Sequence, residues 1–405
     1  MREGRLLMKA LSGIRVLDLT HMLAGPYGSM LLADLGAEVI KVEPPKTGEG
    51  TRRLLENDPK HSLHGMGAYF LTLCRNKKSI TLDLQAEKGR VVFYDLVKIS
   101  DVVYDNFRPG VLERLKVDYD TLKSINPGII SCSCTGFGLT GPGRERPAFD
   151  LVVQAIGGGV SITGERGRPP VRSGIPIGDL GGGVFSAFGI LAALVIRART
   201  GKGQKIDVSM VDVQLSLLNY MATMYFLSGE VPGAIGNEHF VHVPYGSFKT
   251  KDIYIILALV GDNFWKPFVE ILGVEELKDP KYDKRDGRWE DKEKIEAIIS
   301  KTLATKSGDE WLKLLAEKGI PSGPINTFDR TLSDPQVLHR NMVVEVQHPL
   351  GGSVKQPGNP IKMSGTPGQT FSPPPLLGQH THQVLGELLG YPKGKIEELE
   401  RDKII

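Results

Sequence analysis

The stretch GIRVLDLTHMLAGPYGSMLLADLGAEVIKVE, residues 13–43, places a strand, a helix and a second strand in direct succession. Residues 14–20 are predicted as a buried strand, and residues 38–43 as a second strand that ends before Pro44 and Pro45. Between them a glycine and a proline open a helix predicted over 25–37, because proline is favoured in the first helical turn. Such strand–helix–strand units build parallel sheets, so the opening predicts an α/β fold.

The same alternation continues along the chain as far as residue 228. The predicted strands are 79–84, 101–106, 128–138 and 204–210, and the apolar helices are 179–200 and 211–228. We therefore predict a doubly wound, mostly parallel sheet. The charged, tryptophan-containing stretch 250–330 follows a Gly/Pro-rich crossing and indicates a smaller α+β domain.

A chain of 405 residues exceeds the size at which a single hydrophobic core keeps growing. We predict residues 1–225 as the first part of a large α/β domain. Residues 226–330 are predicted as the smaller α+β domain with its crossing linker. Residues 331–405 are predicted as a return segment and a C-terminal helical tail that completes the large domain.

The bulk composition excludes several classes of partner. A net charge of +3 gives no electrostatic case for nucleic acid or for a membrane surface. The longest apolar stretch, around FGILAALVI, is too short to span a bilayer. Three cysteines make no disulfide framework and favour a reducing compartment, so we expect a cytoplasmic protein. Cys132 and Cys134 lack further ligands at metal-binding spacing, and we expect no metal site.

The segment GIPIGDLGGG, residues 174–183, places one carboxylate, Asp179, before three glycines. One interpretation is structural, because aspartate before an apolar helix is a favoured N-cap. The other is chemical, since each glycine costs a helix about 1 kcal/mol relative to alanine. On that interpretation the glycines remove bulk beside a nucleophilic carboxylate and offer amide N–H groups to a large acyl substrate.

The ordered set of motifs along the chain resembles the family III CoA-transferases, the family of formyl-CoA and carnitine CoA-transferases. It comprises the opening stretch through TRR at 51–53, RNKKSITLDL, YDNFRPGVLERL, RPAFDLVVQAIGG, PPVRSGIPIGDLGGG, GQKIDVSM, GNEHFVHVPYGSF and PPPLLGQHTHQVLGELLG. The resemblance implies transfer of CoA from an acyl-CoA to a small free carboxylic acid. It also implies an interlocked homodimer and no prosthetic group, with coenzyme A present only as substrate.

The resemblance assigns roles to individual positions. Asp179 matches the family's nucleophile, which forms an aspartyl mixed anhydride with the acyl group. Residues at positions that contact or flank the CoA are Leu82, Asp83, Leu84, Gln85, Asn106, Phe107, Arg108, Arg114, Phe149 and Asp150. Where formyl-CoA transferases carry a glutamine, this chain has Leu23, which suggests an apolar wall. A further arginine of those enzymes is replaced by Pro44, which leaves Arg52 or Arg53 as phosphate partners.

Two alternatives remain open. The related α-methylacyl-CoA racemases, or an acyl-CoA lyase, would use the same scaffold. The racemases carry a histidine at the position of Phe149, and a phenyl ring cannot exchange a proton, so the transferase is preferred. The second alternative is a CoA-binding protein without catalytic activity.

Overall fold

The computed structural model describes residues 9–366 and 370–405, which fall into two compact units. The first unit contains the described residues up to Gly159 together with Ser173–Gly229 and Gln336–Ile405. The second contains Val160–Arg172 and Glu230–Pro335.

This partition differs from the predicted domains 1–225, 226–330 and 331–405 mainly at the segment 160–172, which was predicted within the large domain. The reason is local hydrogen bonding inside the second unit. The Gly236 N–H donates to the Gly164 carbonyl at 2.8 Å, and Arg166 pairs with Glu238 at 3.4 Å. Both contacts tie the segment to the start of the second unit's main portion.

The strands and helices of the described residues follow in chain order. The strands are β1 (Arg15–Asp18), β2 (Glu38–Glu43), β3 (Ser62–Leu63), β4 (Met66–Gly67), β5 (Lys77–Thr81), β6 (Val102–Asp105), β7 (Ile130–Thr135), β8 (Lys205–Ser209), β9 (Tyr245–Lys249), β10 (Tyr254–Ala258), β11 (Ser322–Pro324), β12 (Val343–Gln347) and β13 (Ser353–Pro357). The helices are α1 (Ala24–Asp34), α2 (Ala68–Leu73), α3 (Glu87–Lys98), α4 (Val111–Leu115), α5 (Tyr119–Ile125), α6 (Asp150–Ile156), α7 (Ile177–Thr200), α8 (Met210–Leu218), α9 (Tyr220–Ser228), α10 (Trp265–Leu272), α11 (Arg285–Glu290), α12 (Lys292–Leu303), α13 (Gly308–Glu317), α14 (Phe328–Ser333), α15 (Pro335–His339), α16 (Thr381–Gln383) and α17 (Lys393–Arg401).

A six-stranded sheet in the order β5-β2-β1-β6-β7-β8 forms the centre of the first unit, and every pairing in it is parallel. Strand β1 lies inside the sheet, and the chain moves outward from it first to β2 and β5. It then returns to β6 on the other side. This is the strand order of a doubly wound sheet, whose ligands bind where the direction of winding changes, beyond the carboxyl ends of the strands.

Side chains of successive strand residues point to opposite faces of the sheet, and both faces are covered. Leu17 belongs to a core beneath α3 and α5, whereas Val16 belongs to a core shared with α1 and α7. Burial on both faces explains why successive residues Val16 and Leu17 of β1, and Val39 and Ile40 of β2, are all apolar.

Helix α7 begins two residues before the helix predicted over 179–200 and ends at the predicted residue. Its 24 residues are, by length and composition alone, enough to cross a membrane, so the expectation that the longest apolar stretch is too short was wrong. That expectation counted FGILAALVI alone and not the whole predicted helix around it. The helix is buried in part: Gly183, Ile190 and Ala193 pack within the first unit, whereas Val184, Phe188 and Val195 are exposed.

The apolar helix predicted over 211–228 is two helices, α8 and α9. Asn219 separates them with a left-handed φ of 49° and ψ of −123°, which interrupts the helical hydrogen-bond ladder. Asparagine tolerates positive φ better than most residues, so the residue type permits the break without dictating it.

The second unit is α+β, as predicted. A three-stranded antiparallel sheet in the order β11-β10-β9 packs with helices α10, α12 and α13. Trp265 and Trp311 are fully buried in this core, where the Trp311 indole N–H donates to the Leu303 carbonyl at 2.8 Å.

Helix α7 crosses α1 at a glycine contact that leaves no room for a side chain. A Cβ built on Gly183 would lie 2.5 Å from the Ala24 carbonyl oxygen and 3.0 Å from the Gly28 nitrogen. Both neighbours are backbone atoms of α1, so relief would require the two helices to separate.

We predict that Gly183→Ala destabilises the protein by about 1–3 kcal/mol, the usual cost of overpacking a core. Gly394→Ala in α17 is the matched control, because a Cβ there meets nothing within 4 Å and alanine favours a helix. Urea unfolding measures both changes. Equal midpoints for Gly183→Ala and the parent protein would contradict the steric account.

Candidate active site

A cavity of about 490 Å³ opens at the carboxyl ends of β1, β2, β5 and β6, where the direction of winding changes. We call it the first cavity. Its lining is Leu19, His21, Val42, Glu43, Pro44, Leu82, Asp83, Leu84, Gln85, Phe107, Val111, Arg114 and Leu115. The size is that of a small-molecule site, and the location is the one that this sheet topology favours.

Six of the predicted CoA-contacting residues line the first cavity: Leu82, Asp83, Leu84, Gln85, Phe107 and Arg114. Asn106 lies directly beside it and holds the turn after β1. Its amide accepts from the His21 N–H at 2.7 Å and donates to the His21 carbonyl at 2.8 Å. Arg108 is exposed and lies outside the lining.

Arg114 and His21 give the first cavity two different recognition groups. Arg114 is exposed on α4, and its side chain has no ion-pair or hydrogen-bond partner within residues 9–366 and 370–405. The His21 ring packs on Phe107 with centroids 5.2 Å apart. Burial and the nearby Lys41 ammonium lower the pKa of His21 to about 4, so the ring is neutral. The cavity therefore combines a free cation with an uncharged aromatic pair.

A buried charge network fixes the turn between β1 and α1. Asp18 accepts hydrogen bonds from Lys77 at 3.0 Å, Ser29 at 2.7 Å and the Thr20 N–H at 2.8 Å. Lys41 donates to the Thr20 carbonyl at 2.7 Å. The two lysines hold the pKa of Asp18 far below its usual range despite its complete burial. The network thereby orients the turn that carries His21 and Leu23.

Arg52, one of the two predicted phosphate partners, is engaged within the protein. Its guanidinium is bidentate with Glu43 at 2.6 and 2.7 Å, donates to the Pro375 carbonyl and lies 3.9 Å above the Phe70 ring. These contacts hold the side chain in place and disfavour the predicted phosphate role. Arg53 is exposed.

Asp179 is the third residue of α7, not its N-cap. The capping role belongs to Asp150 of α6, whose Oδ1 accepts from the Gly178 N–H at 2.8 Å and the Asp179 N–H at 3.3 Å. The other oxygen of Asp150 accepts from Gln154 at 2.7 Å. Within the described part of the chain, the Asp179 carboxylate has no hydrogen-bond or ion-pair partner.

Burial, and next the negative charge of Asp150, raise the pKa of Asp179 to about 7. Both effects disfavour the charged form, and no cation offsets them among the residues described. A carboxylate held without partners and with a raised pKa is typical of a functional site.

The glycines at 181–183 serve packing, which corrects the idea that they keep space open for a substrate. A Cβ on Gly181 would lie 2.9 Å from Val213, and one on Gly182 would lie 3.0 Å from the Cys134 sulfur. The amides of the first turn are also occupied, since those of Gly178 and Asp179 bind Asp150 and that of Leu180 donates to Pro176. The triplet lets α7 approach its neighbours closely, and this places Asp179.

A second cavity of about 450 Å³ lies on the other side of the β1–α1 turn. It is lined by Leu23, Tyr27, Met30, Leu31, Ala68, Tyr69, Thr72, Leu73, Arg75, Leu180, Pro357, Gly358 and Pro360. Leu180 is the residue after Asp179, and Leu23 comes two residues after His21 of the first cavity. One turn of backbone therefore separates two cavities, with Asp179 adjacent in sequence to the lining of the second.

The remaining predicted residues have other positions. Phe149 is 68% exposed at the start of α6 and lines neither cavity. Asp150 binds the backbone of α7 and lines neither cavity.

The sequence analysis missed His21 and Tyr27. The available signal was their place in the first turn and helix after β1, where doubly wound sheets bind ligands. No group of three metal-ligating side chains occurs in the described ranges.

Comparisons with known proteins identify the family of this chain. The family model for CoA-transferase family III matches residues 11–381. The succinyl-CoA:glutarate CoA-transferase of Mus musculus is 39% identical, over 97% of this chain and 89% of that protein. The acetyl-CoA:oxalate CoA-transferase of Acetobacter aceti is 39% identical, over 87% of this chain and 89% of that protein.

A solved structure shares the fold. The crystal structure of a CaiB/BaiF family protein from Brucella suis superposes with a TM-score of 0.83 at 37% identity, covering 94% of this chain and 99% of that one. Since the family model and the relatives span nearly the whole sequence, this chain belongs to CoA-transferase family III and is a CoA-transferase.

Proposed function

We propose that this CoA-transferase moves CoA from an acyl-CoA to a free carboxylic acid through covalent acylation of Asp179. The observation that carries the proposal is the unpartnered Asp179 carboxylate, held by the Asp150 cap at the end of α7. Relatives named for succinyl-CoA, acetyl-CoA, glutarate and oxalate support an acyl-CoA donor and a carboxylic acid acceptor.

The proposed reaction needs no external energy source, because each step exchanges a thioester for an anhydride, or an anhydride for a thioester, of similar free energy. An oxygen of Asp179 attacks the thioester carbonyl carbon, and the C–S bond breaks. CoA leaves as a thiolate, and the acyl group remains on Asp179 as a mixed anhydride. The thiolate then attacks the Asp179 carbonyl carbon and expels the donor acid as a carboxylate. The acceptor carboxylate displaces the thiolate to form a second anhydride. Attack of the thiolate on the acceptor's acyl carbon releases the new thioester and restores Asp179.

The raised pKa of Asp179 suits this role, because a more basic carboxylate is a stronger nucleophile. The first cavity would hold CoA. The exposed Arg114 can pair with a phosphate, and the neutral His21–Phe107 pair offers aromatic faces for stacking.

The racemase or lyase alternative lacks a proton carrier at the predicted position. Phe149 is exposed and carries no titratable group, whereas proton exchange at an α-carbon requires an acid and a base. We therefore retain the transferase proposal.

We predict that Asp179→Ala abolishes CoA transfer while CoA affinity, measured by calorimetry, changes less than twofold. In the parent protein, an acyl-CoA with hydroxylamine should yield a hydroxamate on Asp179, located by mass spectrometry. Residual transfer by the variant would remove Asp179 from the mechanism. Exchange of α-deuterium from D₂O into an α-methylacyl-CoA without added acid would favour the racemase.

We predict that Asp150→Asn moves the acid limb of the kcat/KM profile to lower pH. Activity requires ionised Asp179, so in the parent protein it falls as pH drops through about 7. Removing the Asp150 charge lowers the pKa of Asp179 while an acceptor oxygen remains for the cap. Asp118→Asn, which alters the cap of α5 on another part of the sheet, is the control. An unmoved limb in Asp150→Asn would contradict the assigned role of Asp150.

We further propose that the protein is a homodimer, interlocked as the resemblance implies. Helices α6 to α9 present exposed apolar side chains: Leu151, Val152, Ile156, Val184, Phe188, Val195, Leu215, Tyr220, Phe226 and Leu227. Phe226 and Leu227 are 78% and 84% exposed, and α9 buries no residue. Patches of this kind mark interaction surfaces. Sedimentation equilibrium should give twice the chain mass of 44.3 kDa, and a monomer mass would refute the dimer.

A further inference from the structure

We propose that the second cavity receives the acyl chain and selects apolar monocarboxylic acyl groups over dicarboxylic ones. The inference rests on the proposed function, because it assumes that Asp179 is acylated. It deepens that proposal by naming the class of substrate.

The arrangement of the two cavities gives the acyl chain its direction. His21 lines the first cavity and Leu23 the second, and two residues of backbone span at most about 7 Å. A thioester that crosses this turn would place CoA on one side and the acyl chain on the other.

The contact between α1 and α7 brings Asp179 to the same place. Asp179 and Gly183 are four residues apart and so share one face of α7. A Cβ on Gly183 would lie 3.2 Å from the Tyr27 ring, which lines the second cavity. Leu180 lines the cavity as well, so the start of α7 contributes to its wall next to the nucleophile.

The wall of the second cavity is mainly hydrocarbon and aromatic. Leu23, Met30, Leu31, Leu73 and Leu180 supply aliphatic surface. Tyr27 and Tyr69 supply rings and hydroxyls, and burial raises the pKa of the Tyr27 hydroxyl so that it stays uncharged. A chain of methylene or aromatic groups would gain by burial here.

Within the described part of the chain, Arg75 is the only cation in this lining, and its guanidinium makes four hydrogen bonds to other protein groups. The guanidinium binds both oxygens of Asp34, at 3.2 and 2.8 Å. It also donates to the Pro357 carbonyl at 2.6 Å and to Gln356 at 3.3 Å. The side chain is 1% exposed, so it cannot turn toward a ligand without breaking a buried ion pair.

A second carboxylate on the acyl chain would consequently enter an apolar cavity without a counter-charge. Burial of an unpaired carboxylate is strongly unfavourable, whereas a terminal methyl group is favoured. This distinguishes the present chain from what the names of its relatives suggest, since succinyl-CoA and glutarate both carry the second carboxylate.

The test compares CoA esters that differ only at the far end of the chain. Butyryl-, pentanoyl- and hexanoyl-CoA are paired with succinyl-, glutaryl- and adipoyl-CoA, and hydroxylamine traps the Asp179 anhydride in a single turnover. Release of CoA thiol in that turnover is followed, and the rate with Asp179→Ala is subtracted as the uncatalysed background. We expect the second-order rate constant of acylation for each monocarboxylic ester to exceed that of its partner at least tenfold.

A charge placed in the cavity should reverse the preference. Thr72→Arg adds an unpaired guanidinium to the wall, and we expect it to raise the dicarboxylic-to-monocarboxylic ratio at least tenfold. Val91→Arg adds the same group to the exposed face of α3, away from the cavity, and should leave the ratio unchanged. If Thr72→Arg does not fold, the three pairs of esters with the parent protein decide alone.

The possible failures are distinct. Equal or better use of the dicarboxylic esters by the parent protein would overturn the proposed selectivity. If neither Thr72→Arg nor Val91→Arg changes the dicarboxylic-to-monocarboxylic ratio, the acyl chain lies outside the second cavity. An absence of Asp179-dependent CoA release from every ester would instead refute the proposed function itself.

Discussion

The close contact of α7 with α1 is the constraint on which the site depends. Gly183 meets backbone atoms of Ala24 and Gly28 across a distance that admits no side chain. The same crossing sets the first turn of α7, and with it Asp179, beside the turn after β1. A helix pair held farther apart by one methyl group would move Asp179, and with it the Leu180 side chain that lines the second cavity. The glycines after Asp179 are thus part of the site through packing, although no substrate needs to touch them.

The buried charges beneath the turn have a similar indirect effect. Asp18 ends β1, Lys41 lies within β2 and Lys77 begins β5, and all three side chains are buried. Removal of either member of the Asp18–Lys77 ion pair would leave an uncompensated charge. Their hydrogen bonds end on Thr20 and Ser29, which flank the turn. A polar network in this position makes the geometry of the turn specific, whereas an apolar core would leave the turn less strictly defined.

Much of the fold could be predicted from sequence, because short strand-like segments with apolar residues such as Val16, Leu17, Val39 and Ile40 alternate with helical patterns. The opening strand, helix and strand appear within a few residues of the predicted positions. The break at Asn219 and the attachment of residues 160–172 to the second unit could not be predicted, since each depends on backbone geometry or on a partner distant in sequence.

The site residues show the same division between local pattern and distant contacts. Residues carried by motifs reached the first cavity, whereas Arg52, which looked available, is paired with Glu43. The capping partner of α7, Asp150, comes from another helix, and local pattern could not reveal that it takes the cap in place of Asp179.

Cys134 lies against the glycine triplet, close to the proposed nucleophile. An acylated aspartate would be an electrophile, and a protein thiolate nearby would compete with CoA for the acyl group. Burial raises the pKa of the Cys134 thiol to about 12, so at neutral pH the sulfur stays protonated and is a poor nucleophile. The apolar packing that excludes water from this strand therefore also protects the enzyme from self-acylation on sulfur, a side reaction that would end its turnover.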